Sequence, residues 1–132
     1  MKIGNIIRHY PLSCLVIVTI WTLCLIPIPE TPLSNVSMID KWTHIVMYGI
    51  FCAILLTEYG QRHKHIRWLQ IIVGAVILPI AMGGLIEIVQ ATCTGGNRSG
   101  DIYDFLADTL GVLLGAAIGT LLARYLSKRH KD

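Results

Sequence analysis

Four apolar stretches, each long enough to form a helix across a bilayer, occupy most of this chain of 132 residues. A spanning helix needs about 20 mostly apolar residues, because the hydrocarbon core of a bilayer is about 30 Å thick. Only 14% of the residues are charged, whereas about a quarter are charged in a typical soluble domain. The sequence therefore predicts an all-α, polytopic four-transmembrane-helix bundle that forms one domain over residues 1–132. The predicted spans lie near 11–28, 42–58, 69–92 and 104–126.

Lysine and arginine residues fall mostly on one side of these four spans. Nine of the eleven lie near the two termini or in the 59–68 loop, and only Lys41 and Arg98 lie on the other side. Because cytoplasmic loops carry the excess of basic residues, we expect both termini to lie in the cytoplasm. This orientation accounts for the basic residues without any nucleic-acid partner. The first stretch lacks the small-residue cleavage site of a signal peptide, so we interpret it as an uncleaved span.

The fourth span carries its acidic residues on the face that also carries small residues. A helix advances about 100° per residue, so residues spaced by three, four or seven share a face. The series of Gly111, Gly115 and Gly119 is typical of a helix that packs closely against another helix in a membrane. We therefore expect the acidic side chains to point into the bundle, away from lipid. These acids are Asp101, Asp104 and Asp108.

The second and third spans bring polar side chains to the same predicted depth. In the second span Asp40, His44 and Tyr48 are spaced by four residues, and Lys41 borders their face. The third span contains Pro79, which removes the hydrogen bond to the carbonyl of residue 75 and predicts a kink. Toward its outer end, two polar residues share a face with Gly83. They are Glu87 and Gln90.

Polar side chains from three spans thus meet in the outer half of the predicted membrane, near Arg98 in the connecting TGGNRSG segment. A charged residue at mid-depth costs about 2.5–3.5 kcal/mol on insertion scales, so such a layer indicates a function. We predict that these side chains form a binding site that opens toward the outer surface. Its predicted members are Asp40, Lys41, His44, Tyr48, Glu87, Gln90, Arg98, Asp101, Asp104 and Asp108.

The segments that carry these residues resemble the VanZ-like family of small bacterial membrane proteins. The resemblance rests on DKWTHIVMY, GLIEIVQ and RSGDIYDFLADTLGVLLG, and it covers residues 40–119. Many members of that family have asparagine where this chain has Asp108. The resemblance implies a location in the bacterial cytoplasmic membrane and an association with low-level resistance to the glycopeptide teicoplanin. It implies no particular reaction.

Three interpretations of the polar residues remain open. In the first, the protein recognises an anionic envelope lipid, a lipid-linked wall precursor or a glycopeptide, with Lys41 and Arg98 binding a phosphate or carboxylate group. A transport activity is a variant of this interpretation, and with only four spans it would require a homodimer. In the second, the protein is a hydrolase or transferase that acts on a lipid-linked phosphate or glycan. In the third, the polar pairs fix the helix register of a structural scaffold.

The enzymatic interpretation has little support from sequence motifs. Glu87, His44 and Asp104 are the candidates for acid–base residues, or for ligands of a divalent cation. No HExxH or GxSxG motif is present, and the four cysteines have no CxxC spacing, so they are interpreted as packing residues. We therefore expect no cofactor, and we favour a binding protein over an enzyme.

Overall fold

The computed structural model describes residues 2–26, 39–93, 95 and 102–129, and within these residues the chain forms helices and no strands. The predicted all-α class is confirmed. The helices, in chain order, are α1 (Ile3–His9), α2 (Pro11–Leu25), α3 (Ile39–Arg62), α4 (Trp68–Ile72), a π-helical turn (Val73–Ile77), α5 (Leu78–Cys93) and α6 (Ile102–Arg129). Helix α4, the π turn and α5 continue into one another as a single helix of 26 residues, Trp68–Cys93.

Three helices are long and apolar enough to cross a membrane, namely α3, the α4–α5 helix and α6. Within the first predicted span, 11–28, the structure describes residues 11–26 and forms α2 from Pro11, and the chain bends by 103° just before it, between α1 and α2. Pro11 is the first residue of α2, where its missing N–H is tolerated and its fixed φ favours a helix start. Helix α2 alone has 15 residues, so the number of spans reaches four only if α1 and α2 together form one.

Helices α3 and α6 run parallel and pack closely through glycines of α6. A methyl group at Gly111 would collide with the backbone carbonyl of Ile45, and a methyl group at Gly115 would collide with that of Gly49. Further along, a Cβ atom at Gly119 would lie 3.1 Å from the Cα atom of Ala53. The contacts advance together by four residues on each helix, so the small-residue series fixes the register between α3 and α6.

The α4–α5 helix accommodates its proline through the π turn and a contact from α3. Pro79 has no N–H, so it cannot bond the carbonyl of Ala75 four residues earlier. The thiol of Cys52 donates to that carbonyl across 3.4 Å, and the π turn Val73–Ile77 immediately precedes the proline-containing turn. A π turn and a side chain that bonds the freed carbonyl are common ways for a helix to absorb a proline.

A buried carboxylate joins α2 to the far end of α3. Glu58 is 5% exposed and accepts the backbone N–H of Leu12 across 2.9 Å and that of Ser13 across 3.1 Å. The hydroxyl of Ser13 donates to the same carboxylate across 2.6 Å. Tyr10, which precedes α2, provides no side-chain cap. Glu58 therefore supplies from another helix the acceptors that the first turn of α2 requires.

Apart from a few buried polar side chains, the interior of the described helices is apolar. One cluster of buried residues joins Ile20 and Cys24 of α2 to Phe51 of α3, Ile86 of α5 and Val112 of α6. A second cluster lies toward the other end of α3, around Leu56 and Tyr59. Large apolar side chains such as Leu121, 67% exposed, cover the outside of the helices. Such an outer surface is typical of a protein whose helices face lipid rather than water.

Candidate functional site

The close packing of α3 against α6 brings the polar residues of these two helices together. Ile45 contacts Gly111, so the residues one turn before Gly111 lie beside the first turns of α3. His44 thereby faces Asp108, and Lys41, one turn earlier on α3, faces Asp104, one turn earlier on α6. The glycines that allow close approach therefore also position the ionisable side chains.

His44 and Asp108 form a short, fully buried hydrogen bond. The distance from Nδ1 of His44 to Oδ1 of Asp108 is 2.7 Å, and the two residues are 3% and 0% exposed. When Asp108 is ionised it can only accept a hydrogen bond, and in that state Nδ1 of His44 carries the hydrogen and donates it. The other ring nitrogen, Nε2, then has a lone pair, and it lies 3.9 Å from Oδ2 of Asp104.

Asp104 lies between this histidine and a lysine. Its Oδ1 atom is 3.0 Å from Nζ of Lys41, while its Oδ2 atom faces His44. Lys41 remains partly exposed, so this pair marks the rim of the buried group. The arrangement leaves the two oxygens of Asp104 with different surroundings, one cationic and one facing the imidazole.

Glu87 of α5 completes the group from the opposite side. It is buried, and one of its carboxylate oxygens lies within 4.8 Å of ligand atoms of both His44 and Asp104. One turn further along α5, Gln90 donates from Nε2 to the backbone carbonyl of Cys24 across 2.7 Å, so Gln90 links α5 to α2. We use the name polar cluster for the five residues Lys41, His44, Glu87, Asp104 and Asp108.

Two buried polar atoms, one within this cluster and one beside it, lack a hydrogen-bond partner within the described residues. They are Oδ2 of Asp108 and the hydroxyl of Tyr48, which is 0% exposed. A Cβ atom at Gly83 would lie 2.8 Å from this Oδ2 atom, so the glycine provides the space that the carboxyl group fills. Buried polar atoms are nearly always bonded in folded proteins, so these two atoms are able to bond a further molecule.

The structure brings together five of the residues that the sequence predicts for the site, and it separates others from them. Asp40 is exposed at the start of α3 and does not enter the polar cluster. Tyr48 lies buried beside the cluster, and Gln90 is engaged with α2. Arg98 and Asp101 lie outside the described residues. Gly111, Gly115 and Gly119 all lie at the contact with α3.

A sequence model of the VanZ/LLP1 family matches residues 4–123 of the chain, which is most of its length. The chain belongs to the VanZ/LLP1 family. The resemblance on residues 40–119 is thus confirmed, and the match extends it to include α1 and α2. Together with its apolar helices, membership identifies the chain as a VanZ-like membrane protein. No curated protein and no solved structure matches the chain.

Within this VanZ-like chain, sequence analysis missed the contact of Glu58 with α2. A signal was present, however, in the dipeptide Tyr10-Pro11. A proline at the first position of a helix with no serine, threonine, aspartate or asparagine before it leaves the next amides without a local cap. Such a helix start indicates that a distant acceptor is needed.

Proposed function

We propose that this VanZ-like protein binds the head group of an anionic envelope lipid, a lipid-linked wall precursor or a glycopeptide, and thereby contributes to resistance to glycopeptides such as teicoplanin. The observation that supports this proposal is the polar cluster itself. Three helices whose outer faces are apolar enclose five ionisable side chains, and burial of charged groups between such helices is costly. Ionisable residues in spanning helices commonly mark a site for a substrate or an ion.

The chemistry of the polar cluster matches a head group that carries both donors and a negative charge. Oδ2 of Asp108 and the hydroxyl of Tyr48 can accept bonds from hydroxyl or amide groups of a glycan or peptide. Lys41 lies at the exposed rim, where its ammonium group can bind a phosphate or carboxylate oxygen in addition to Asp104. The acyl chains of such a ligand would lie against the apolar outer faces of the helices.

Substitution of one carboxylate tests this proposal. Glu87→Gln keeps the shape and hydrogen-bonding capacity of the side chain and removes its charge. In bacteria that express the chain, we expect Glu87→Gln and Arg98→Ala to lower the resistance to teicoplanin while the amount of protein in the membrane stays the same. Asp40→Asn is the matched control, because Asp40 is an exposed acid outside the polar cluster. Unchanged resistance in both variants would contradict binding at this site.

The bond between His44 and Asp108 favours a second candidate function. A histidine that a carboxylate orients through one ring nitrogen can use the other as a general base. In this alternative the protein is a hydrolase or transferase that acts on a lipid-linked phosphate or glycan, and Nε2 of His44 accepts a proton from the attacking water or hydroxyl. Asp108 acts as a positioning residue that holds the ring.

Purified protein in lipid nanodiscs distinguishes the two functions. With a lipid-linked phosphate as substrate, an enzyme would release product at a rate that falls at least about a hundredfold in His44→Gln, the usual range for loss of a general base. A binding protein would retain the same lipid unchanged after prolonged incubation. Release of product at equal rates by the wild type and by His44→Gln would exclude His44 as the base.

A further inference from the structure

Three side chains of the polar cluster present the kind of atoms that bind a metal ion. His44, Glu87 and Asp104 each offer one ligand atom, and these atoms all lie within 4.8 Å of one another. All three residues are buried, and they come from α3, α5 and α6. Imidazole nitrogen and carboxylate oxygen are both ligand types that bind Zn²⁺ in proteins.

The fourth residue of the group, Asp108, holds the imidazole as a metal site requires. A histidine that ligates a metal almost always donates its other ring N–H to a carboxylate, a carbonyl or water, which fixes the tautomer and raises the basicity of the ligating nitrogen. Here Nδ1 of His44 donates to Asp108 across 2.7 Å, and Nε2 faces Asp104. This hydrogen bond is independent of the distances among the three ligand atoms and indicates the same site.

The charges of the three ligand residues suit a divalent cation. Glu87 and Asp104 supply two carboxylates, and His44 supplies an imidazole. A divalent cation bound to two ionised carboxylates and a neutral imidazole would balance their charge.

The three side chains must draw together to hold an ion. Ligand atoms that are each about 2.1 Å from a tetrahedral zinc ion lie about 3.4 Å from one another. Nε2 of His44 and Oδ2 of Asp104 are 3.9 Å apart, so this pair must shorten by about 0.5 Å. A separation of 4.8 Å, the limit within which all three ligand atoms lie, must shorten by about 1.4 Å, through rotation of the carboxylate side chains. Lys41 does not block the ion, because it contacts the other oxygen of Asp104.

We propose that His44, Glu87 and Asp104 bind a divalent transition-metal ion of the Zn²⁺ type, with Asp108 as the positioning residue for His44. The site would leave at least one coordination position for an exogenous oxygen. An ion would enter the site from the rim, where the side chains of Lys41 and Asp104 are 25% and 11% exposed.

This inference deepens the proposed function and rests on it only for the identity of the further ligand. A group of carboxylates does not by itself attract an anionic head group, whereas a bound cation with an open position binds a phosphate oxygen directly. The ion would thus explain how an acid-rich cluster recognises an anion. Metal binding is measurable without any lipid ligand, so the two proposals can fail separately.

The first measurement uses the wild-type protein in lipid nanodiscs, stripped with a chelator and then dialysed against Zn²⁺. Elemental mass spectrometry is expected to find about one bound ion per chain. Replacement with Co²⁺ provides a spectroscopic signature, because the visible absorption of Co²⁺ reports nitrogen and oxygen ligation. A wild-type protein that retains no Zn²⁺ above the level of empty nanodiscs would overturn the proposal, and this outcome does not depend on any variant.

Variants then assign the ligands. Glu87→Gln, Asp104→Asn and His44→Gln are each expected to weaken Zn²⁺ binding by at least about tenfold and to alter the Co²⁺ spectrum. Asp108→Asn preserves an acceptor for Nδ1 of His44, so it is expected to weaken Zn²⁺ binding by no more than about tenfold. Asp40→Asn, the control on the same helix, is expected to bind as the wild type does. If all of these variants bound Zn²⁺ equally well, the ion would lie elsewhere and the proposal would be wrong.

A final experiment tests whether the ion takes part in the proposed recognition of an anionic lipid. Dioctanoyl phosphatidic acid, a short-chain lipid phosphate, is titrated into the stripped and the Zn²⁺-loaded protein. Tighter binding to the loaded form by about tenfold or more supports both proposals, since a phosphate oxygen then completes the coordination. Equal binding to both forms overturns the role of the ion in recognition, whereas the Zn²⁺ measurement alone decides whether the metal site exists.

Discussion

Two buried carboxylate regions lie about 21 Å apart along α3, one at Glu58 and one at the polar cluster around His44. At Glu58 the protein supplies three donors to a single carboxylate, two from the backbone and one from Ser13. In the polar cluster Asp104 lies between Lys41 and His44, and Oδ2 of Asp108 has no donor within the described residues. The comparison shows that burial of an acid does not by itself indicate a ligand. The number of partners that the fold provides distinguishes the two cases.

The largest loss of stability is expected from a substitution at the close contact between α3 and α6. Gly115→Val would place a branched side chain against the backbone of Gly49 and force α3 away from α6. Overpacking of this kind costs about 1–3 kcal/mol or more. We expect Gly115→Val to reduce both the melting temperature in detergent and the retention of ligand. Gly74→Val is the control, because a Cβ atom at Gly74 meets no neighbouring atom. Equal stability of the two variants would contradict the α3–α6 register described here.

Glu58→Gln should separate stability from binding. The amide retains one acceptor oxygen but loses the charge and presents N–H donors where the amides of Leu12 and Ser13 need acceptors. Because hydrogen bonds to charged groups contribute about 1.5–3 kcal/mol each, we expect a loss of stability of roughly 2–3 kcal/mol. Thermal unfolding in nanodiscs measures this loss. The remaining folded protein should bind Zn²⁺ as tightly as the wild type does, and a parallel loss of Zn²⁺ binding would show that the two regions are coupled.

Glu87→Gln should give the opposite result. We expect retention of the ligand to fall by about tenfold, which corresponds to about 1.4 kcal/mol, while the melting temperature changes little. The physical reason is that glutamine keeps the shape and the hydrogen-bonding capacity of the side chain while it removes the charge that binds a cation. Native mass spectrometry of the ligand-bound fraction, together with a melting curve on the same sample, measures both quantities. A drop in stability as large as that of Glu58→Gln would assign Glu87 a structural role instead.

Ser13→Ala should give the smallest effect. It removes the hydroxyl donor to Glu58 and leaves the two backbone donors in place. We expect a loss of about 1 kcal/mol, the usual contribution of one hydrogen bond, without any change in the ligand. Thr19→Ala on the same helix is the control, because the hydroxyl of Thr19 bonds only within its own helix, to the carbonyl of Leu15. If Ser13→Ala were no more destabilising than Thr19→Ala, the hydroxyl would not contribute to holding α2.

The two regions also differ in how far the sequence predicted them. Helical periodicity placed Asp104, Asp108 and Gly111 on one face, because a spacing of three or four residues decides the face whatever the neighbours are. Glu58 has no such companions, and its partners Leu12 and Ser13 are more than 40 residues away in the chain. Contacts of this kind follow from the docking of helices, which periodicity does not determine. Helical periodicity therefore predicted which faces are buried. It did not predict that Glu58 would bind the amides at the start of α2.

The number of spans is another part of the fold that hydropathy alone did not decide. Hydropathy predicts a span near 11–28, and the structure forms α2 over Pro11–Leu25, with a bend of 103° between α1 and α2 immediately before it. The orientation of the chain across the membrane and the roles of Arg98 and Asp101 remain predictions. Arg98 and Asp101 lie in the part of the chain that the structure does not describe.

The central claim is that the polar cluster binds a ligand and that the Glu58 region does not. The most direct test is mass spectrometry of the molecules that co-purify with the wild type, Glu87→Gln and Ser13→Ala from the same membranes. We predict an amphiphile with a polar or phosphorylated head group that is retained by the wild type and by Ser13→Ala and is depleted in Glu87→Gln. An identical set of molecules on all three proteins would contradict the claim.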